Sequence, residues 1–268
     1  MAKTTAIYCQ KGGVGKTTTC QLLAVALAQE GQRVLMVDLD VDPSLTDRCG
    51  FSYKKTPYEE SIAHLLRLSI GKEDMLEPFP LSSFEGCNLI TSCPSLRMLE
   101  DELARADAPY ALRNVLDYIE INYDHILIDC RPSLSRLSAA ALTAADSVII
   151  PVLPYDESIN GMLLSFENIE IIRQSINPHL KIDGVLVTML DRREKTALDT
   201  LDELRESLPV FQTAIPRSSY VAKCSAEGYS IIEKYPRNPV SIAYGNLAKE
   251  VMEIERHQEP EDEGSEIL

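Results

Sequence analysis

Short, continuously apolar or β-branched runs alternate along the chain with longer amphipathic segments. The runs predict strands over residues 4–9, 33–38, 88–91, 125–129, 147–153, 182–189 and 210–213. The segments between them predict helices over 16–29, 58–69, 95–104, 109–122, 135–144, 158–175, 194–207 and 240–255. Ile126-Leu127-Ile128 and Val148-Ile149-Ile150 have no polar face, as strands covered by helices on both sides require. Alternation of this kind predicts an α/β fold: a doubly wound, mainly parallel sheet of about seven or eight strands with helices on both faces. No repeat or low-complexity linker divides the body, so one domain over 1–254 is expected, followed by a tail over 255–268.

Charge changes the picture at that tail. Glu255, Glu259, Glu261, Asp262, Glu263 and Glu266 face only Arg256, and Pro260 and Gly264 interrupt them. Such a segment is expected to be solvated and disordered. The whole chain carries a formal charge of −15, and the body stays acidic without its tail, which argues against a generally nucleic-acid-seeking protein. Any contact with DNA must come from a local patch. The best basic clusters are Arg192, Arg193 and Lys195, and Arg217 with Lys223, each following a late strand, so both could share one rim. Phosphate contacts there would be salt-sensitive and sequence-independent. The bland alternative for each residue is an ordinary charged surface.

The remaining composition narrows the class. An apolar fraction of 45% over 268 residues is that of a globular protein. No apolar run approaches the roughly 20 residues of a membrane span, and the start of the chain reads as a strand rather than a signal peptide. Seven cysteines lie scattered without a C-x-x-C pair or metal-like spacing to the four histidines, so reduced, buried thiols in a cytoplasmic protein are expected.

Candidate chemistry sits at the strand ends, where sheets of this kind bind ligands. Gln10-Lys11-Gly12-Gly13-Val14-Gly15-Lys16-Thr17-Thr18 joins the first strand to the first helix. Glycines let backbone N–H groups curl around phosphate oxygens, and the helix N-terminus adds partial positive charge. Lys16 is placed to reach the β- and γ-phosphates of ATP and Thr17 to ligate Mg²⁺. Gln10 stands where the first glycine of the usual G-x-x-x-x-G-K-[ST] pattern belongs, and Lys11 is an additional cation on the outer lip of the loop. The second strand ends in Asp38-Leu39-Asp40-Val41-Asp42 and the fourth in Asp129. Carboxylates at those points suit a magnesium shell and the positioning of an attacking water. Met189, which closes a late strand, and Pro216 are further expected nucleotide contacts.

Together these residues resemble the ParA/Soj/MinD family of deviant Walker A P-loop ATPases, most closely its short ParA/Soj partition proteins. Lys11 to Thr18 is similar to the family loop, with Lys11 as its signature lysine. Val37-Asp38-Leu39-Asp40 with Ser44-Leu45-Thr46, the run from Tyr123 to Leu134, the run from Ala144 to Val152, and Ser225-Ala226-Glu227-Gly228 are similar to later motifs. The resemblance implies an ATP-sandwich homodimer in which Lys11 touches the partner's nucleotide. It assigns Lys16 and Thr18 to phosphates, Thr17 to Mg²⁺, Asp40 to orienting water, and Asp38 and Asp129 to the metal shell. It implies nonspecific DNA binding by the ATP dimer, release stimulated by a ParB-type partner, and a cytoplasmic, nucleoid-associated protein that partitions plasmid, chromosomal or mobile-element DNA. Two alternatives stay open: positioning of a protein cargo, and nucleotide-dependent regulation with little turnover. Lys11 and the extent of the resemblance set aside a metabolic synthetase of the same fold.

Three departures stand out. Val41-Asp42-Pro43 replaces the usual switch sequence, Arg131 replaces a proline, and Lys223 replaces a common glutamate. Arg131 is either a cation close to the nucleotide, serving DNA, a partner or the γ-phosphate, or a solvated surface residue. The segment from Glu253 to Glu259 is acidic where a MinD-like membrane helix needs lysines, so no membrane contact is expected.

Overall fold

The computed structural model describes residues 1–71, 73 and 79–258. Among the described residues seven strands form one sheet: β1 (Lys3–Ile7), β2 (Val34–Asp38), β3 (Ser82–Phe84), β4 (Cys87–Ile90), β5 (His125–Asp129), β6 (Ser147–Val152) and β7 (Lys181–Val187). The order across the sheet is β3-β4-β2-β5-β1-β6-β7, parallel throughout except for the edge hairpin β3–β4. The helices are α1 (Lys16–Gln29), α2 (Ser44–Arg48), α3 (Ile62–Gly71), α4 (Leu96–Ala106), α5 (Ala111–Asp117), α6 (Arg136–Ala144), α7 (Asp156–Ser175), α8 (Lys195–Ser207), α9 (Ser219–Ala226), α10 (Ile231–Lys234) and α11 (Pro239–Gln258).

The apolar strands bury both faces, as their sequences predict. Ile126 and Ile128 of β5 join a core with α3 to α8, whereas Leu127 between them joins a second core with α1, α10 and α11. Each such side chain, fully removed from water, stabilises the fold by about 1.5–3 kcal/mol before ordering costs. This layering sets β1, β2 and β5 side by side in the middle of the sheet, and their carboxyl ends open on one edge.

The structure corrects several boundaries. The strand expected over 210–213 does not form, and only single bridges remain, Val185 to Val210 and Leu190 to Pro216. Phe211 and Ile215 donate to Val185 and Val187 of β7, but the Gln212 and Thr213 N–H groups between them donate to the Glu250 carboxylate of α11, so no continuous ladder forms. The helix expected from residue 58 begins at Ile62, because Ser61 is extended and bridges Thr91. The helix expected over 109–122 breaks after Asp117 into a short 3₁₀ turn, Glu120–Asn122. Helix α11 runs to Gln258, beyond the expected domain limit at 254, and Glu255 faces Lys3 at 3.5 Å and His125 at 3.3 Å. The rest of the acidic tail, 259–268, lies outside the described residues.

Candidate nucleotide site

The loop after β1 is shaped by backbone positions that only glycine occupies without strain. Gly13 and Gly15 have φ of 76° and 90°, in the left-handed region. Gly15 precedes α1, whose first turn is closed by the Thr19 N–H donating to the Gly15 carbonyl at 2.8 Å. Val14 is fully buried, and its carbonyl accepts a 2.7 Å hydrogen bond from the Thr188 hydroxyl at the end of β7. The loop is thus pinned from behind and leads directly into a helix N-terminus, the setting of an anion site.

The two lysines of the loop have different surroundings. Lys16 is 7% exposed, and its ammonium donates to the Lys11 carbonyl at 2.9 Å, curling across the loop. Burial lowers its pKa, opposed by nearby Cys9 and Asp129. The Lys11 side chain is 42% exposed, and its ammonium pairs with Glu157 of α7 at 3.3 Å. Thr17 and Thr18 lie half-buried beside them.

Three carboxylates converge next to Lys16. Asp38 and Asp129 are register partners at the ends of β2 and β5, and both are buried. The Thr46 hydroxyl and N–H donate to Asp38 Oδ2 at 2.6 and 2.8 Å. Burial nevertheless pushes the Asp38 pKa up to about 7. Asp129 is raised as well, first by burial and then by the Asp38 charge, with the Thr17 hydroxyl acting against the shift. Neither Asp129 oxygen has a hydrogen-bond partner of good geometry. A buried carboxylate whose oxygens lack such partners takes up a proton or a cation, and its oxygens suit a hard divalent ion, although the described residues form no preassembled cluster of three metal-ligating side chains. The residues present therefore fit magnesium, and the glycine loop fits the phosphates.

Asp40 is half-buried, with a pKa raised by burial, and its Oδ1 accepts the Asp42 N–H at 3.1 Å. The unusual Val41-Asp42-Pro43 is therefore a turn folded over Asp40: Val41 joins the core, Asp42 is exposed and faces Arg97 at 3.3 Å, and α2 begins after Pro43. Arg131 is neither free at the nucleotide site nor merely solvated. Its guanidinium binds Glu100 of α4 at 2.8 Å, and its charge acts on Asp40.

Met189 has a positive φ of 52°, and its methyl group lies 3.7 Å from where a Gly15 side chain would begin. Pro216 is bridged to Leu190 and helps line an open cavity of about 810 Å³ with Arg192, Arg193, Arg217 and Asn246. Within this rim Arg193 is engaged, its guanidinium forked onto Asp191 at 2.9 and 2.7 Å. Lys195 opens α8, and exposed Lys223 lies apart on α9, outside that cavity.

One group of residues escaped the sequence reading. Helix α7 presents Gly161, Ser165 and Asn168 toward the front of the loop, a polar i, i+4, i+7 stripe on a buried face. Such a stripe is visible in the sequence, because polar groups on an inward helix face need partners.

Comparisons agree with this geometry. Residues 2–182 match the family described as "AAA domain". The sporulation initiation inhibitor protein Soj of Bacillus subtilis (strain 168) is 35% identical, over 94% of this chain and 98% of its own. The chromosome-partitioning ATPase Soj of Thermus thermophilus is 38% identical, over 91% of this chain and 92% of its own. Among solved structures, cobyrinic acid a,c-diamide synthase from Mycobacterium smegmatis with bound ADP and magnesium superposes with a TM-score of 0.81. It is 32% identical and covers 96% of both chains. With its glycine loop, its paired strand-end aspartates and these full-length likenesses, the chain belongs to the ParA/Soj family of P-loop ATPases.

Proposed function

We propose that this protein is a magnesium-dependent ATPase working as an ATP-driven dimer switch. In this reading the ATP dimer binds DNA nonspecifically and, with a ParB-type partner, partitions plasmid, chromosomal or mobile-element DNA. The observation that carries it is the division between the loop's lysines: Lys16 is buried within its own loop, while Lys11 projects from the lip toward solvent. A cation held outside its own phosphate site is placed to serve a second chain. The partition role is supported by relatives that bear that function in their names.

Within one protomer, the loop amides and Lys16 hold the phosphates, and Asp38, Asp129 and Thr17 are the groups facing the metal position. Bound magnesium would neutralise charge on the phosphates. Asp40, held by its own turn, orients the water, and Lys11 adds positive charge from across the interface. Arg192, Arg193, Arg217 and Lys195 are the proposed DNA contacts, with Lys223 at greater distance, and Met189 and Pro216 flank the base side of the nucleotide.

Sedimentation of the wild type, Lys11→Ala and Asp40→Ala with ADP and with ATP tests this reading. The wild type should dimerise transiently with ATP, Asp40→Ala should remain dimeric, and Lys11→Ala should turn ATP over poorly. A wild type monomeric in every nucleotide, with full turnover by Lys11→Ala, would remove the dimer switch.

A further inference from the structure

Gln10 and Lys11, the two residues that set this loop apart, are both held by α7. The Gln10 N–H donates to the Ser165 hydroxyl at 2.9 Å, and that hydroxyl donates to the Gly161 carbonyl at 2.7 Å. The Asn168 amide donates to the Gln10 side-chain carbonyl at 2.7 Å and to the Tyr8 hydroxyl at 2.9 Å. Ser165 is fully buried and Asn168 is 9% exposed, so these bonds are made away from competing water. At Gly161 the approach is closer still: a side chain there would begin 2.6 Å from Lys11 Cβ and 3.3 Å from its backbone nitrogen. The backbone of Lys11 rests directly on the helix, and only its side chain reaches out to Glu157.

From these contacts we infer that Ser165 and Asn168 are positioning residues for Lys11, acting through Gln10, and that Gln10 and Asn168 form one device. A glycine in place of Gln10 would remove the acceptor through which Asn168 holds the loop and leave it the Tyr8 hydroxyl. The polar residue at that position is therefore the anchor that lets a lysine beside it keep a defined direction. Gly161 supplies the space. The inference rests on the dimer role proposed for Lys11 only in its kinetic consequence; the anchoring itself is a property of one chain.

The test uses the full chain with Gln10→Ala, Asn168→Ala, the double variant and Lys11→Ala. Amide exchange over residues 10–12 reports the anchoring directly. It should quicken about tenfold or more in each Gln10 or Asn168 variant, as expected when a local opening becomes easier. Turnover should fall about tenfold with KM for ATP little changed, because a displaced cation costs the transition state rather than ground-state binding. Binding of a fluorescent ADP analogue should stay within about twofold of wild type. The double variant should be no worse than either single one, since two halves of one contact are not additive. Restoring the contact with the lengths exchanged, Gln10→Asn with Asn168→Gln, should recover turnover, which a general loss of packing would not permit.

Unchanged exchange at residues 10–12 in Asn168→Ala would overturn the inference, as would normal turnover by Asn168→Ala where Lys11→Ala is inactive. If Lys11→Ala itself turned over normally, the dimer role of Lys11 would fail, and the exchange measurement alone would decide the anchoring.

Discussion

Asp38 and Asp129 face each other across adjacent parallel strands, register partners at the carboxyl ends of β2 and β5, with both carboxylates buried. Two like charges at that spacing weaken the fold unless a proton or a cation is shared between them.

Stability without ligand should therefore depend on pH in a particular direction. Burial raises the Asp38 pKa to about 7, so the folded chain keeps a proton that the unfolded chain releases near pH 4. That stabilisation is complete below about pH 4 and lost as pH rises to about 7. Asp129 shifts the same way. Asp129→Asn should melt about 2–6 °C above wild type at pH 8 in the absence of ligand, and by a smaller margin at pH 5. Magnesium with ADP should raise the wild-type midpoint and leave that of the variant nearly unmoved. Thermal melts at the two pH values, with and without magnesium and ADP, check this. A variant equally stabilised by magnesium and ADP would remove Asp129 from the metal shell.

The two lysines should separate by assay. Lys16→Ala removes a charged donor from the interior of the loop and should weaken ATP binding by about tenfold to a hundredfold, the usual worth of one charge-assisted hydrogen bond. Lys11→Ala should keep most of that affinity and lose turnover. Equilibrium binding of a fluorescent nucleotide, set beside steady-state phosphate release, distinguishes the two. Equal loss of binding in both variants would contradict the division of labour.

Gly161→Ala sets helix propensity against close packing. Alanine gains about 1 kcal/mol in a helix interior. Its Cβ would meet Lys11 Cβ at 2.6 Å, and that neighbour is anchored to backbone rather than being the free end of a flexible side chain. Overpacking of this kind costs about 1–3 kcal/mol, so the clash wins. The variant should lose net stability in chemical denaturation and lose turnover with it. A stabilised, fully active Gly161→Ala would show that Lys11 does not rest on α7.

The basic rim is partly self-neutralised, which gives a directional test for DNA. Asp191 holds Arg193 in a fork and has its own pKa lowered to about 2 by that contact. Asp191→Asn should free Arg193, strengthen DNA binding, and steepen the dependence of log affinity on log salt by up to about one. Arg192→Ala and Arg217→Ala should each make that dependence shallower. Fluorescence anisotropy on a random duplex across salt concentrations measures all three. No change in slope for any of them would place the DNA surface elsewhere.

The architecture was readable because continuously apolar strands such as Ile126-Leu127-Ile128 admit only a sheet covered on both faces. The loop and its aspartates were readable because phosphate and metal chemistry restricts residue types sharply. What escaped depended on distant contacts. Glu250, from the last helix, takes the N–H groups of Gln212 and Thr213 and leaves the expected strand as isolated bridges. The antiparallel edge strand Ser82–Phe84 is too short for periodicity to show. Asn168 carries a local signal, a polar position on an inward helix face, but its partner Gln10 lies 158 positions away and nothing local identifies it. Arg131 illustrates the same limit: its partner Glu100 comes from another helix, and proximity to Asp129 in sequence said nothing of it.

Retention of the protein on random duplex DNA tests the central claim most directly, measured with ADP, ATP and a non-hydrolysable ATP analogue at low and moderate salt. The account predicts retention with ATP and with the analogue, little with ADP, a steep loss as salt rises, and a clear weakening in the Arg192→Ala, Arg217→Ala double variant. Retention that is the same in all three nucleotides, or indifferent to salt, would contradict it.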